Sequence, residues 1–184
     1  MTNFAHHFLL PTPQMSDPRF AGSLLYLCRH SHEGTWGFII NQPNTSISVG
    51  GLLQDMRIDA DKITMHTPAM NGGPIRPEAG FVLHTGLPNF RSSFAISENV
   101  CLTTSRDILP LLAHHERLSH YMLLMGFCTW QQGQLQEEIQ AGDWLTCPAK
   151  IDIIFEPDHS QKLSKAYQLL GVNPDKLAPT IGIA

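Results

Sequence analysis

The chain is short of charge, and its basic residues never cluster. Of its 184 residues 15% are charged, and the net charge is −4, whereas average proteins carry about 25% charged residues. The 12 lysines and arginines stand singly along the sequence, so no basic run could follow a phosphate backbone. Direct nucleic-acid binding is therefore not expected.

Metal-binding and redox motifs are missing as well. No Cys-x-x-Cys pair and no short Cys/His spacing of a zinc site occurs, and each cysteine lies beside apolar or β-branched residues. We predict buried free thiols, no metal and no cofactor, as is typical of proteins in a reducing cytosol. The four cysteines are Cys28, Cys101, Cys128 and Cys147.

Targeting and membrane signals are equally scarce. The first ten residues include two histidines and no cationic start, unlike a secretory signal. No apolar run approaches the ~20 residues of a membrane helix. We predict a cytoplasmic protein without a membrane partner, and the sequence gives no oligomeric state.

Hydrophobic residues are plentiful and make up 42% of the chain. That amount suits one globular domain over residues 1–184, with 178–184 as a flexible tail. Short apolar runs bounded by turn residues predict strands, and amphipathic stretches predict helices. The predicted strands are 23–28, 36–40, 81–85, 93–96, 100–103, 121–127, 144–147 and 151–155; the predicted helices are 50–56, 134–141 and a long one that starts at Asp158 and ends at Gly171.

A link, a turn and one further helix complete the predicted secondary structure. Residues 57–69 read as a mobile link, and Asn173-Pro174 as one further turn. A helix begins near Asp107, because Pro110 then falls in its first turn, where no backbone donor is needed; a kinked first turn is the alternative. Hairpins come first and mixed elements follow, which predicts an α+β fold.

Two turns are the candidate ligand site. Gly72-Gly73-Pro74 leads into a buried strand, and its glycines could bring backbone amides close to a ligand; the alternative is a strained turn between core strands. Thr104-Ser105-Arg106 follows another strand, where Arg106 could bind a carboxylate or phosphate. Helix capping by Ser105 and Asp107 is the alternative there.

His84, Asn41 and the pair Cys28 and His30 are further candidates for functional roles. His84 ends an apolar strand and so lies at a sheet rim, as a ligand contact or as a structural histidine. Asn41 follows a strand and is placed near the same pocket. Cys28 precedes His30 by two residues, which allows a Cys-His nucleophile pair or simply a packed thiol beside an edge histidine.

Short motifs spread over most of the chain resemble the AlgH/YqgE family. They occur in the family's order from about His7 to Leu177. They are His7-Phe8-Leu9-Leu10-x-x-Pro13, Tyr26-x-Cys28-x-His30, Asn41-x-Pro43, Gly72-Gly73-Pro74, Gly80-Phe81-Val82-Leu83-His84, Leu102-Thr103-Thr104-Ser105-Arg106-Asp107 and Trp144-Leu145-Thr146-x-Pro148.

The resemblance implies a bacterial cytoplasmic protein with a bifurcated, mostly antiparallel β-sheet that forms a pseudo-barrel with helices outside. It brings no established activity, although some members are named transcriptional regulators. Three residues depart from the family pattern: Gln136 replaces a frequent Glu, Pro110 a helix former, and Ile183 a His near the C-terminus. Chemistry at position 136 or 183 would therefore be lost here.

The leading hypothesis is a non-catalytic binding or regulatory module that recognises a small anionic ligand or a protein partner. The proposed pocket combines Asn41, the Gly72-Gly73 loop, His84 and the Thr104–Arg106 turn. One alternative is a small-molecule hydrolase or transferase that uses Cys28 or Ser105 as nucleophile. The other is a transcriptional regulator that acts directly or through a partner.

Overall fold

A computed structural model of the chain describes residues 3–173, 176 and 177. The predicted tail, 178–184, lies outside the described residues, as does Pro174 of the predicted last turn. The chain divides into two compact units, one formed by residues up to Gly37 together with those from Thr129 onward, the other by Phe38–Cys128. The single domain expected over the whole chain stays a prediction.

The described residues form ten strands and six α-helices, with two short 3-10 turns at Arg106–Ile108 and His159–Gln161. The strands are β1 (His7–Pro11), β2 (Leu25–Ser31), β3 (Gly34–Ile39), β4 (Pro43–Ser48), β5 (Pro68–Asn71), β6 (Ile75–His84), β7 (Ser93–Ala95), β8 (Cys101–Thr103), β9 (Tyr121–Trp130) and β10 (Trp144–Pro148). The helices are α1 (Val49–Asp55), α2 (Lys62–His66), α3 (Leu109–Leu112), α4 (Gln134–Ala141), α5 (Ile151–Ile154) and α6 (Lys162–Leu169).

The first unit is built on the strand order β10-β1-β2-β3. Strand β1 lies between two antiparallel neighbours, with Phe8 opposite Cys147 on one side and Tyr26 on the other. Phe8 and Tyr26 are fully buried. A continuous apolar run in β1 is what a strand covered on both faces requires.

The second unit carries the candidate site. Its strands follow the order β9-β6-β8-β7 in antiparallel pairs, and β4 pairs antiparallel with β5. Strand β5 pairs parallel with β9, Met70 lying opposite Leu124. The α+β class, predicted from the order of hairpins and helices, is therefore confirmed, as is the mostly antiparallel sheet that the family resemblance implied.

Helix α1 packs on this sheet through an apolar stripe. Val49 and Leu53 are buried, while Leu52 is only partly so. Ser48 caps the helix by accepting a hydrogen bond from the Gly51 amide at 3.0 Å. The core of the unit forms where this stripe meets β6, β9 and α3; its buried members are Val49, Leu53, Ala69, Val82, Ile108, Leu112, Ala113, Leu123 and Met125.

Two predicted elements were wrong. Residues 151–155 are not a strand, because Ile151–Ile154 forms helix α5, in which the Lys150 carbonyl accepts from the Ile154 amide at 3.0 Å. A short apolar run is compatible with either structure, and its length alone does not decide. Residues 57–69 are not merely a link, since they contain α2.

The start of the third helix follows the kinked alternative. Ser105 precedes a 3-10 turn, Arg106–Ile108, and α3 then begins with Pro110 at one of its first two positions. Asp107 is thus inside the turn rather than its N-cap. A proline in a first turn removes no helical hydrogen bond, which is why the break falls here.

Asp61 fastens α2 to the segment that follows α3. Its carboxylate accepts from the Thr64 amide at 2.7 Å, and from the amide and ring Nδ1 of His115 at 2.9 and 2.7 Å. Hydrogen bonding, first from the Thr64 amide and then from His115, holds the pKa of this carboxyl far below its usual range. The ionised form is therefore the one that stabilises the fold.

Asp61→Asn should consequently lower stability at pH 5 by more than it does at pH 3. A depressed folded-state pKa contributes stability above the unfolded-state pKa of 3.8, and that contribution is lost as the pH falls further. Urea denaturation of both proteins at the two pH values measures the difference. Asp59→Asn, a change at an exposed carboxylate two residues away, is the control. An equal deficit at both pH values would contradict the expectation.

The four cysteines are free and buried, as predicted. In the part of the chain that the structure describes, no helix has the length and apolarity needed to cross a membrane. Within those same residues, no three His, Cys, Asp or Glu side chains are grouped so that they could hold a metal ion.

Candidate functional site

A cavity of about 310 Å³ opens in the second unit, against helix α1. This volume is at the lower end of the range for small-molecule sites, roughly 300–1,000 Å³. At about 30 Å³ of liquid volume per water, it has room for on the order of ten waters, or a ligand body of similar size. The lining residues come from α1, β6, β8, β9 and the turn after β8.

The floor of the cavity is apolar. Val49 and Leu53 come from α1, Val82 from β6, and Leu123 and Met125 from β9, and all five belong to the buried core of this unit. Met56, at the end of α1, also lines the cavity and remains 42% exposed. An apolar body could therefore enter beside Met56 and contact these core side chains.

The rim is polar, and its best-ordered part is the turn after β8. The Ser105 hydroxyl donates to the Asp107 carboxylate at 2.5 Å and accepts from the Ser92 amide at 3.0 Å. Asp107 also accepts from the Arg91 amide at 2.9 Å. The Ser105 hydrogen bond, followed by that of Arg91, lowers the pKa of Asp107. These bonds hold the turn against the segment that enters β7.

Arg106 projects from this ordered turn and lines the cavity. Among the described residues its guanidinium has neither an ion pair nor a side-chain hydrogen bond. Arg106 is also exposed. A planar guanidinium in this state can form two parallel hydrogen bonds to a carboxylate or phosphate.

Glu78 places a carboxylate on the same cavity from strand β6. Its partner is Arg76, whose Nε lies 3.5 Å from the Glu78 oxygen. Both side chains are about 70% exposed, so the pair contributes little stability. The rim therefore carries charges of both signs.

The structure brings together three of the seven predicted site residues. Thr104, Ser105 and Arg106 line the cavity. The Thr104 hydroxyl lies 3.4 Å from the Ser92 carbonyl, and its amide donates to the same oxygen at 2.8 Å. Asn41, Gly72, Gly73 and His84 are not among the cavity's lining residues.

The Gly72-Gly73 loop packs against the strand beside it. A Cβ on Gly72 would lie 2.5 Å from the Gly126 carbonyl oxygen, and one on Gly73 would lie 2.3 Å from that of Phe127. The Gly72 amide already donates to the Met125 carbonyl at 2.7 Å. The close approach that these glycines permit is thus to β9, as in the alternative of a turn between core strands.

His84 acts on the cavity through Thr103. Its Nε2 lies 2.8 Å from the Thr103 hydroxyl, which lines the cavity, and its Nδ1 lies 3.0 Å from the Thr85 carbonyl. Because a carbonyl only accepts, Nδ1 donates to the Thr85 carbonyl, and Nε2 forms the hydrogen bond with the Thr103 hydroxyl. The histidine is 1% exposed and therefore positions a lining residue from behind.

Asn41 lies between β3 and β4 and is half-buried. The next residue, Gln42, accepts a hydrogen bond from the Asn71 amide at 2.8 Å through its carbonyl. This places the Asn41 segment beside β5, among residues that do not line the cavity.

The two nucleophile candidates are in unfavourable surroundings. Cys28 is 3% exposed, and burial raises the pKa of its thiol well above the ordinary value, which leaves little reactive thiolate. His30 bonds to the Thr35 hydroxyl at 2.7 Å and lies 3.2 Å from the Gln136 amide nitrogen. The Ser105 hydroxyl already donates to a carboxylate, and no histidine among the described residues is bonded to it.

Sequence reasoning missed the apolar floor and Glu78 as parts of the site. A signal for the floor was present, because the predicted helix 50–56 contains the apolar residues Leu52, Leu53 and Met56. Nothing in the sequence indicated that this face was only partly covered by the core. Glu78 had no signal at all, since it stands in a loop-like stretch between Pro77 and Gly80.

A second cavity, of about 500 Å³, lies in the first unit and offers less chemistry. It has no charged side chain in its lining, which is Pro11, Thr12, Pro13, Met15, Ala21, Gly22, Ser160, Leu163, Ser164 and Tyr167.

Comparison with known proteins gives matches along nearly the whole chain. The sequence profile of the AlgH-like family (DUF179) matches residues 8–175. A UPF0301 protein of Psychrobacter cryohalolentis is 46% identical over 183 residues, 99% of this chain and 98% of the relative. The UPF0301 protein YqgE of Escherichia coli is 37% identical over 175 residues, 93% of this chain and 94% of the relative.

Solved structures agree with the sequence matches. The solution structure of the AlgH protein from Pseudomonas aeruginosa superposes with a TM-score of 0.78 at 34% identity, covering 100% of this chain and 97% of that one. A crystal structure of a Corynebacterium diphtheriae protein gives a TM-score of 0.61 at 20% identity over 80% of this chain and 76% of that one, which is a likeness of fold alone.

Proposed function

The chain belongs to the AlgH-like family, as its motifs predicted, and from that premise we propose that it is a non-catalytic module that binds a small anionic ligand in the α1 cavity. The observation that carries the proposal is an arginine without a protein partner, among the described residues, at the rim of an apolar cavity. The ligand's anionic group would contact Arg106. Its apolar body would occupy the space between α1 and β9.

Electrostatics support an anionic group at Arg106. Charge-assisted hydrogen bonds are shorter and roughly twice as strong as neutral ones, and a guanidinium can form two to one carboxylate. The turn that carries Arg106 is held by the bonds of Ser105 and Asp107 to residues 91 and 92. Little ordering of the backbone is then required when the ligand binds, which favours affinity.

The floor supports an apolar body. Leu123 and Met125 present side chains of the core, and Met56 covers one side while exposed. Burial of apolar surface contributes about 25 cal/mol per Å². A ligand with an anionic head and a small branched or aromatic tail would satisfy both parts of the site.

The state of the two candidate nucleophiles supports binding without covalent chemistry. The Cys28 thiol is buried with a raised pKa, and the Ser105 hydroxyl is engaged in holding the rim turn. Among the described residues, neither is hydrogen-bonded to a histidine that could act as the base in nucleophilic catalysis.

Arg106→Ala should weaken binding of 4-methylpentanoate about tenfold or more, because a hydrogen bond to a charged group contributes about 1.5–3 kcal/mol. A ligand of this size makes few contacts and is expected to bind in the millimolar range. A titration followed by NMR of the Met56 and Met125 methyl groups is therefore the suitable measurement. The uncharged analogue 4-methylpentan-1-ol should shift the same signals only weakly.

The matched control is Arg117→Ala, which removes an exposed arginine of the same unit that does not line the cavity. It should leave the affinity unchanged. Equal affinity of the Arg106→Ala variant and the parent protein would remove Arg106 from the site. Absence of any methyl shift with either ligand would overturn the proposal itself.

A further inference from the structure

The rim of the cavity carries one positive and one negative side chain, so it could bind a ligand that has charges of both signs. Arg106 lines the cavity from the turn after β8, and Glu78 lines it from β6. Arg106 has no ion pair among the described residues, and the only ion pair of Glu78 among them is the exposed one with Arg76 at 3.5 Å. Both charged groups are therefore open to a ligand.

The strand register places the two groups toward the same end of the sheet. Strands β6 and β8 are antiparallel, and Val82 lies opposite Thr103. Glu78 precedes Val82 by four residues, and Arg106 follows Thr103 by three. In antiparallel strands these two directions coincide, so both residues lie beyond the Val82–Thr103 pair toward the same end of the sheet, Arg106 in the turn that follows β8.

From this arrangement we infer that the ligand is a zwitterionic α-amino acid with an apolar side chain, an inference that rests on the proposed function of the cavity. The α-carboxylate binds Arg106, and the α-ammonium binds Glu78 in place of Arg76. The side chain enters the apolar space between α1 and the Leu123–Met125 segment of β9.

The carboxylate of Glu78 also discriminates between ligand classes. A plain monocarboxylate at Arg106 brings a second negative charge onto the rim that Glu78 already occupies, and it leaves Glu78 with only its exposed arginine partner. An ammonium group beside the ligand carboxylate removes the repulsion and adds an attraction. Specificity therefore comes from Glu78, and the requirement for a carboxylate comes from Arg106.

The size of the cavity agrees with a single amino acid. Room for on the order of ten waters is enough for a leucine- or methionine-sized side chain with its head at the rim, and too little for a peptide of several residues. The Met56 and Met125 side chains at its wall can adapt to branched or straight apolar groups because their thioethers are flexible.

Three ligands with one apolar body test the inference: L-leucine, 4-methylpentanoate, which lacks the ammonium, and 3-methylbutylamine, which lacks the carboxylate. Affinities are measured on the full chain by the shifts of the Met56 and Met125 methyl signals. We expect L-leucine to bind at least about tenfold more tightly than either analogue, the effect of one additional charge-assisted contact.

Glu78→Gln should remove the advantage of L-leucine over 4-methylpentanoate while leaving the protein folded, because this side chain is largely exposed. Glu98→Gln, at an exposed position of the β7–β8 hairpin away from the cavity lining, should leave the advantage intact.

The outcomes distinguish a failure of the zwitterion inference from a failure of the proposed function. If 4-methylpentanoate binds as tightly as L-leucine, or if Glu78→Gln leaves the preference unchanged, the zwitterion inference is overturned while the proposed function stands. If none of the three ligands shifts the methyl signals, or if only the amine does, the proposed function is overturned with it.

Discussion

Gly126→Ala should destabilise the protein by at least about 3 kcal/mol, the sum of backbone strain and a steric clash. Gly126 has a φ of +71°, and a Cβ there would lie 2.3 Å from the Gly73 carbonyl oxygen and 3.0 Å from that of Ile75. Both obstacles are backbone atoms of the segment that opens β6, where the pairing with β9 shifts register. They cannot move without breaking that pairing.

The measurement is urea denaturation, supported by a fall in Tm of roughly 6–12 °C for a chain of this size. Gly171→Ala is the matched control, because its φ is +68° but nothing lies within 4 Å of its added Cβ. Strain alone should then cost about 1–2 kcal/mol. Equal losses for the two variants would show that the contact with Gly73 and Ile75 contributes nothing.

Gly80→Val should abolish binding of 4-methylpentanoate and leave the fold intact. Gly80 lines the cavity opposite Met125 in the β6–β9 pairing. An added Cβ there would meet only Leu123 Cδ1 at 3.7 Å and Met125 Sδ at 3.8 Å, which is ordinary contact. The two further methyl groups of valine would occupy space that the ligand needs, in a strand where β-branched residues are favoured.

The same glycine offers a graded series. Gly80→Ala should raise the free energy of unfolding by about 0.4–1 kcal/mol, because it restricts the unfolded chain at a position with a compatible backbone, and it should weaken binding less than valine does. Methyl NMR titration and urea denaturation on both variants give the two quantities. Undiminished binding by a folded Gly80→Val protein would place the ligand elsewhere.

Local signals predicted several elements correctly. Helix α4 has the predicted bounds, Gln134–Ala141, and Gly142 ends it with a φ of +88°. The strands predicted at 93–96 and 100–103 also form, as β7 and β8, and they pair antiparallel. In both cases residues next to one another in the sequence contain the whole signal.

The two wrong predictions concern short segments whose structure depends on contacts with residues distant in the sequence. Residues 151–154 became a helix although their apolar run suits a strand. Helix α2 was overlooked because its five residues carry no strong apolar stripe. Its N-cap residue, Asp61, accepts hydrogen bonds from the first turn of the helix and from His115, which is 54 residues away in the sequence. Tertiary contacts outweigh propensity in segments this short.

For the candidate site, the sequence by itself determined which groups were available: a turn of hydroxyls with one arginine after β8, apolar residues in the predicted helix 50–56, and Cys28 and Ser105 as possible nucleophiles. Only the tertiary structure decided which of them meet. It placed Arg106 and Glu78 on one rim, set the α1 face over a gap in the core, and turned the Gly72-Gly73 loop against β9. Pairing register and packing between distant strands set these distances, and neither is encoded in any local stretch of residues.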